Sequence, residues 1–166
     1  FATRGRFKAV CAAEAAALCA WAALENRDRV GGLSFDDSRH VEIRPGGRRQ
    51  LLHWLHALSE HGDRTASPRS DALAQLLRRL LRTARPGALV GLFSDFRQLG
   101  AMESALLRKL GQRVELILGF AVDPIERELP PAGRYPLVDD SGQIQWIDTS
   151  QRAHRDRWVE HYRLRR

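Results

Sequence analysis

The sequence predicts an α/β fold with helices on both faces of a mostly parallel sheet. Three observations carry that expectation. Amphipathic helical stripes alternate with short apolar runs along the chain. Two of those runs end on a carboxylate, Asp95 and Asp123, where a turn residue would be usual. The stretch RVELILGFAVDP (Arg113–Pro124) is apolar almost without interruption, as a strand covered on both faces requires. At 166 residues and 43% hydrophobic content, the chain is sized for a single domain, residues 1–166.

The elements follow in order. From Arg6 to about Asn26, the positions Phe7, Val10, Cys11, Ala17, Leu18, Trp21 and Leu24 recur at three- and four-residue steps, the stripe of one long helix. DRVGGLSF (Asp28–Phe35) reads as a short strand, Asp36–Arg39 as a turn and HVEIRP as an alternating strand, together a hairpin. After Pro45-Gly46-Gly47, Leu51, Leu52, Trp54, Leu55 and Leu58 mark a helical face that ends at Gly62. The polar loop DRTASPR follows, and Ser70 is placed to cap a helix carrying Leu73, Leu76, Leu77, Leu80 and Leu81. Pro86-Gly87 breaks that helix. ALVGLFSDF then reads as a strand, followed by a helix from about Met102 to Leu110 and the strand at Arg113–Pro124. The loop IERELPPAGR leads to a hairpin of YPLVDD and QIQWID and to a final helix beginning after Asp148 or Ser150. The order is α-β-β-α-α-β-α-β-β-β-α.

A net charge of +7 and a pI near 10.6 raise the possibility of polyanion binding. The distribution argues against specific nucleic-acid recognition. Lys8 and Lys109 are the only lysines among 27 basic residues, and the arginines are scattered through every segment, with no aromatic stacking motif beside them. Only the last helix, with Arg152, Arg155, Arg157, Arg163, Arg165 and Arg166, is locally dense; a polyanion- or nucleic-acid-binding module using that helix is the alternative function. Cys11 and Cys19 are eight positions apart on one helix, about 12 Å along its axis, too far for a disulfide. They read as small core residues in a reducing compartment, the cytoplasm. Ala12–Leu24 contains Glu14 and is shorter than the roughly 20 apolar residues a bilayer span needs, so no membrane segment is expected. Phe1 opens without Met or a signal-type block, which suggests a start inside a longer gene product.

Chemistry narrows to oxygen ligands. No G-x-S-x-G, P-loop or G-x-G-x-x-G is present, and His53 and His56 have no cysteine or carboxylate at zinc-site spacing. Ser94, Asp95 and Asp123 end two strands, so a parallel sheet brings them to one edge, where α/β folds bind ligands. Thr65, Ser67 and Ser70 lie in a loop able to reach that edge. A Mg²⁺ ion takes about six oxygens and keeps several waters, so these side chains make part of a site.

FATRGRFKAV, DRVGGLSFDD, ALVGLFSDF and VDPIERELP closely resemble the bacterial proteins called domain of unknown function 58, which are von Willebrand A-like and associated with MoxR-type AAA+ ATPases. The resemblance covers almost the whole chain. It implies a Rossmann-like domain with a metal-ion-dependent adhesion site: D-x-S-x-S after a first central strand, a Thr or Ser on a second loop and an Asp on a third. Asp95 matches the third loop, and Thr65 or Ser70 the second. The first strand with its D-x-S-x-S lies, in the family, just upstream of the segment matching FATRGRFK, and is absent from this chain. Asp36–His40 and Asp139–Gln143 each supply the Asp and first serine of that pattern, but not the second serine. The resemblance therefore implies a non-enzymatic, cytoplasmic interaction domain, an adaptor or co-chaperone of a MoxR-type AAA+ ATPase. It would hold Mg²⁺ or another divalent cation in the complete protein and none in this chain alone. Asp95, Thr65 and Ser70 would be metal ligands, and Ser94 and Asp123 would line the partner-binding crest.

Overall fold

The computed structural model describes residues 7–35, 40–59, 71–127, 129–138 and 143–164. Helix α1 (Lys8–Glu25) leads into strands β1 (Val30–Phe35) and β2 (His40–Gly46), then helices α2 (Arg48–Ser59) and α3 (Ala72–Thr83). Strand β3 (Leu89–Ser94), helix α4 (Ala101–Gly111) and strand β4 (Glu115–Phe120) follow. A short helix α5 (Pro124–Arg127), the strands β5 (Arg134–Val138) and β6 (Ile144–Asp148) and helix α6 (Arg152–Leu164) complete the order. The mixed α/β character and the element order are as expected, with α5 added.

The strands form three two-stranded sheets, not one mostly parallel sheet. Only β3 and β4 run parallel, in register from Leu89 opposite Glu115 to Ser94 opposite Phe120. The pairs β1–β2 and β5–β6 are antiparallel, because links as short as residues 36–39 and 139–143 permit a hairpin but not the crossover of a dozen or more residues that a parallel pair needs. Strands β1 and β3 do not pair with each other, and among the described residues each keeps one edge without a strand partner.

Two compact units are present: Ala9–Ala121, and Val122–Arg166 together with Phe1–Lys8. The first contains two apolar clusters. In one, Ala20, Val30, Leu51 and Trp54 are buried, with Ala16, Trp21, Leu24, Val41, Ile43, Leu55 and Leu58 packed on them. The Trp54 ring lies over Gly32 so closely that a Cβ there would clash with the indole, so β1 tolerates no side chain at that point. Two sequence expectations are corrected here. Phe7, just before α1, and Val10 and Leu18 within it are exposed, Leu18 at 73%, and so are both cysteines, which are free thiols outside the core. The alanine-rich helix packs on this cluster through Ala16, Ala20, Trp21, Ala23 and Leu24. On α2, Leu52 likewise faces outward.

Helix α1 ends in a Schellman motif. Asp28 N–H donates to Ala23 O at 3.0 Å and Arg27 N–H to Leu24 O at 2.9 Å, with Arg27 left-handed at φ 66°. That conformation is costly for a residue with a Cβ. Arg27→Gly should therefore raise stability by about 0.5–1 kcal/mol, read as a higher urea midpoint with an unchanged m-value.

The second cluster holds the parallel pair. Val90, Leu92 and Leu116, on one face of β3–β4, pack against Leu73, Leu76, Leu77, Leu80 and Leu81 of α3 and Leu106, Leu107 and Leu110 of α4. On the opposite face Phe93 covers Gly119, its direct cross-strand neighbour, where a Cβ would clash with the ring. Leu89 and Ile117 on that face are exposed, as are Leu118 and Phe120, so among the described residues α3 and α4 cover one face of the pair, and neither helices on both faces nor a β4 strand covered on both faces is found.

In the other unit, Thr149 is fully buried. Its hydroxyl lies 2.8 Å from Pro131 O and 3.1 Å from Gly133 O, and accepts from Gly133 N–H. The Ser150 hydroxyl and N–H both donate to Asp148 just before α6, holding that carboxyl below its ordinary value.

Candidate functional site

The parallel register brings the C-terminal ends of β3 and β4 together, and Ala121 N–H donates to Ser94 O at 2.9 Å to close the ladder. Ser94 and Asp95 leave β3 at this edge. The Ser94 hydroxyl accepts from Phe96 N–H at 3.2 Å, and Asp95 Oδ1 accepts from Arg97 N–H at 3.3 Å. Phe96 sits between them in the left-handed region, φ 48°, with its ring tilted against Phe120 at 6.2 Å. This reversal turns Arg97 back on Asp95, whose Oδ2 lies 3.3 Å from the Arg97 Nε. Asp95 is thus a half-exposed carboxylate at the lip of the parallel pair. It does not cap α4. That helix starts at Ala101, where the buried Glu103 reaches back to accept from Gly100 N–H at 3.0 Å.

Gln98 ties this lip to α3. Its Oε1 accepts from Leu73 N–H, one of the free donors in the first turn of that helix, at 3.1 Å. Leu73 follows Ser70 by three positions in the chain. Thr65, Ser67 and Ser70 themselves lie outside the described residues, as do the segments 36–39 and 139–142 considered as substitutes for D-x-S-x-S.

Asp123 belongs to the other unit, where it is 3% exposed. Its Oδ1 accepts from Ile125 N–H at 3.0 Å, while Glu126 Oε2 accepts from Asp123 N–H at 3.3 Å. This reciprocal pair is a capping box, with Pro124 at the first helical position, where its missing N–H costs nothing. Glu126 is held in turn by Lys8, Nζ to Oε1 at 2.7 Å, and Trp158 Nε1 donates to Ile125 O and Glu126 O at 3.1 Å. The D-x-x-E spacing of DPIE was readable as a cap in the sequence. Asp123→Ala should cost about 1–2 kcal/mol, whereas Asp123→Asn, which keeps the acceptor, should stay near wild type in thermal unfolding.

Among the described residues, no three His, Cys, Asp or Glu side chains are grouped to hold a metal ion, and His53 and His56 are exposed on α2. Helix α6 presents Arg152, Arg155 and Arg157 to solvent, but Asp156 and Glu160 are exposed on the same helix, and Arg152 lies 3.8 Å from Asp156.

Over its full length, residues 1–166, the chain matches the family described as Protein of unknown function DUF58. The chain belongs to the DUF58 family. No curated protein and no solved structure matches it. For this DUF58 chain, the described helices include none long and apolar enough to cross a membrane. Sequence reasoning singled out Asp95 and Ser94 but missed Arg97, Gln98 and Phe96, whose parts depend on a left-handed turn that no residue preference announces at a phenylalanine.

Proposed function

We propose that this chain is a von Willebrand A-like, Rossmann-type interaction domain without enzymatic activity, a cytoplasmic adaptor for a MoxR-type AAA+ ATPase. Recognition would be by coordination: a divalent cation held at the lip of β3 accepts a carboxylate from the partner. The observation that carries this reading is Asp95, a half-exposed carboxylate just past the end of a parallel strand, in a loop whose Gln98 accepts a hydrogen bond from the first turn of α3. Ligand crevices of α/β folds lie at such strand ends.

The fit of the described residues to a cation is partial. Asp95 is a hard oxygen donor of the right kind, and Ser94 offers a hydroxyl beside it, against the roughly six oxygens Mg²⁺ takes. Thr65 or Ser70 would complete the second loop. In the resembled family a strand carrying D-x-S-x-S lies between the strands corresponding to β1 and β3. The edges that β1 and β3 leave without a strand partner suit such a strand, since backbone groups buried unpaired cost about 1–3 kcal/mol each.

The discriminating experiment measures binding of the natural-length protein to the purified ATPase with Mg²⁺, with a chelator, and across a salt series. Loss of binding on chelation with a shallow salt dependence supports the proposal. Binding to polyanions that ignores the chelator and falls steeply with salt would instead favour the arginines of α6.

A further inference from the structure

Two polar atoms are buried at the first apolar cluster, the Ser34 hydroxyl of β1 and the Trp54 indole Nε1 of α2, and among the described residues neither has a hydrogen-bond partner. They lie on the same side of β1. Val41 and Ile43, the cross-strand neighbours of Ser34 and Gly32, pack on the cluster, and the Trp54 ring lies over Gly32, so the face of β1 that carries positions 32 and 34 is the one packed against α2. Nε1 is among the indole atoms nearest to Gly32. A Cβ at that position would push the ring away; glycine lets the indole N–H come down onto the strand, one pleat from Ser34.

We propose that Ser34 and Trp54 together hold one buried water molecule, which ties β1 to α2 within an otherwise apolar cluster. Positions 32 and 34 are about 6.6 Å apart along a strand, and a water bonded to a donor on one side and an acceptor on the other spans a comparable distance of about 5.7 Å. The chemistry of the two groups fits. The indole N–H can only donate and the hydroxyl can accept, so the water oxygen accepts from Trp54 and one of its hydrogens is donated to Ser34 Oγ. Two partners are the fewest that hold such a water. A charged ligand is excluded, because it would meet the apolar side chains of Val30, Val41 and Ile43, which cannot solvate it.

The test is a high-resolution crystal structure of the natural-length protein, together with urea unfolding of Ser34→Ala, Trp54→Phe and the double variant. The map should show one water within hydrogen-bond distance of both atoms. In Ser34→Ala that water keeps a single one of these partners, so the folding equilibrium constant should fall about five-fold even though a buried hydroxyl has been removed. The double variant should lose less than the two single variants combined, because the second truncation finds no bridge left to break. A Ser34→Ala protein at least as stable as wild type, single effects that simply add, or a map with Nε1 bonded directly to Oγ or with no water between them would each overturn the proposal. Should Trp54→Phe fail to fold, the map and Ser34→Ala decide the matter alone.

Discussion

Leu77→Ala is expected to destabilise the Ala9–Ala121 unit by about 2–5 kcal/mol. Leu77 is fully buried in α3, in a cluster with Leu92 of β3, Leu110 of α4 and Val114. Truncation there loses the transfer free energy of the removed carbons and leaves a cavity between elements that cannot both relax, since the loop after β3 is tied back to α3 by the Leu73 N–H bond to Gln98. The matched control is Leu89→Ala on the exposed face of β3, 61% accessible, which should change stability by no more than about 0.5 kcal/mol. Urea unfolding of the two variants checks the assignment of the core. Equal effects would mean that the packed face of β3–β4 has been taken the wrong way round.

The parts of the fold that could be read in advance are those where one local signal dominates. The leucine stripe of α3 led to its packed face, and the short links at 36–39 and 139–143 led to two hairpins, whereas the near-continuous apolarity of Arg113–Pro124 located the parallel partner of β3 but not its burial, since Ile117, Leu118 and Phe120 are exposed. Helix α1 was harder. Alanine covers most of its surface, so no face stands out, and the expected stripe through Phe7, Val10 and Leu18 is exposed while Ala20 is buried. Sheet continuity was not legible either, because pairing between β1 and β3 depends on long-range backbone geometry that side-chain periodicity does not encode.

The candidate site divides in the same manner. Asp95 stood out because a carboxylate ending an apolar run is unusual, and it does lie at the lip of the parallel pair. Asp123 stood out for the same reason, but its carboxylate is buried in the capping box of α5, a role carried by a four-residue spacing. Arg97 gave no signal, since one arginine among so many is unremarkable until Phe96 turns it back.

Asp95→Ala is expected to abolish cation-dependent partner binding while sparing the fold. The side chain is partly exposed, and its described bonds are to Arg97 two residues away, so its removal leaves both apolar clusters intact and should cost no more than about 1 kcal/mol. If the carboxylate is a direct ligand of a cation that itself coordinates the partner, its loss removes a charged ligand that neither serine nor threonine can replace. The most direct measurement is therefore the calorimetric affinity of the natural-length protein for the MoxR-type ATPase in Mg²⁺, wild type against Asp95→Ala, with thermal unfolding run on the same samples. The account predicts that binding falls by at least about 100-fold with an unfolding midpoint close to wild type; an unchanged affinity in a folded Asp95→Ala protein would contradict it.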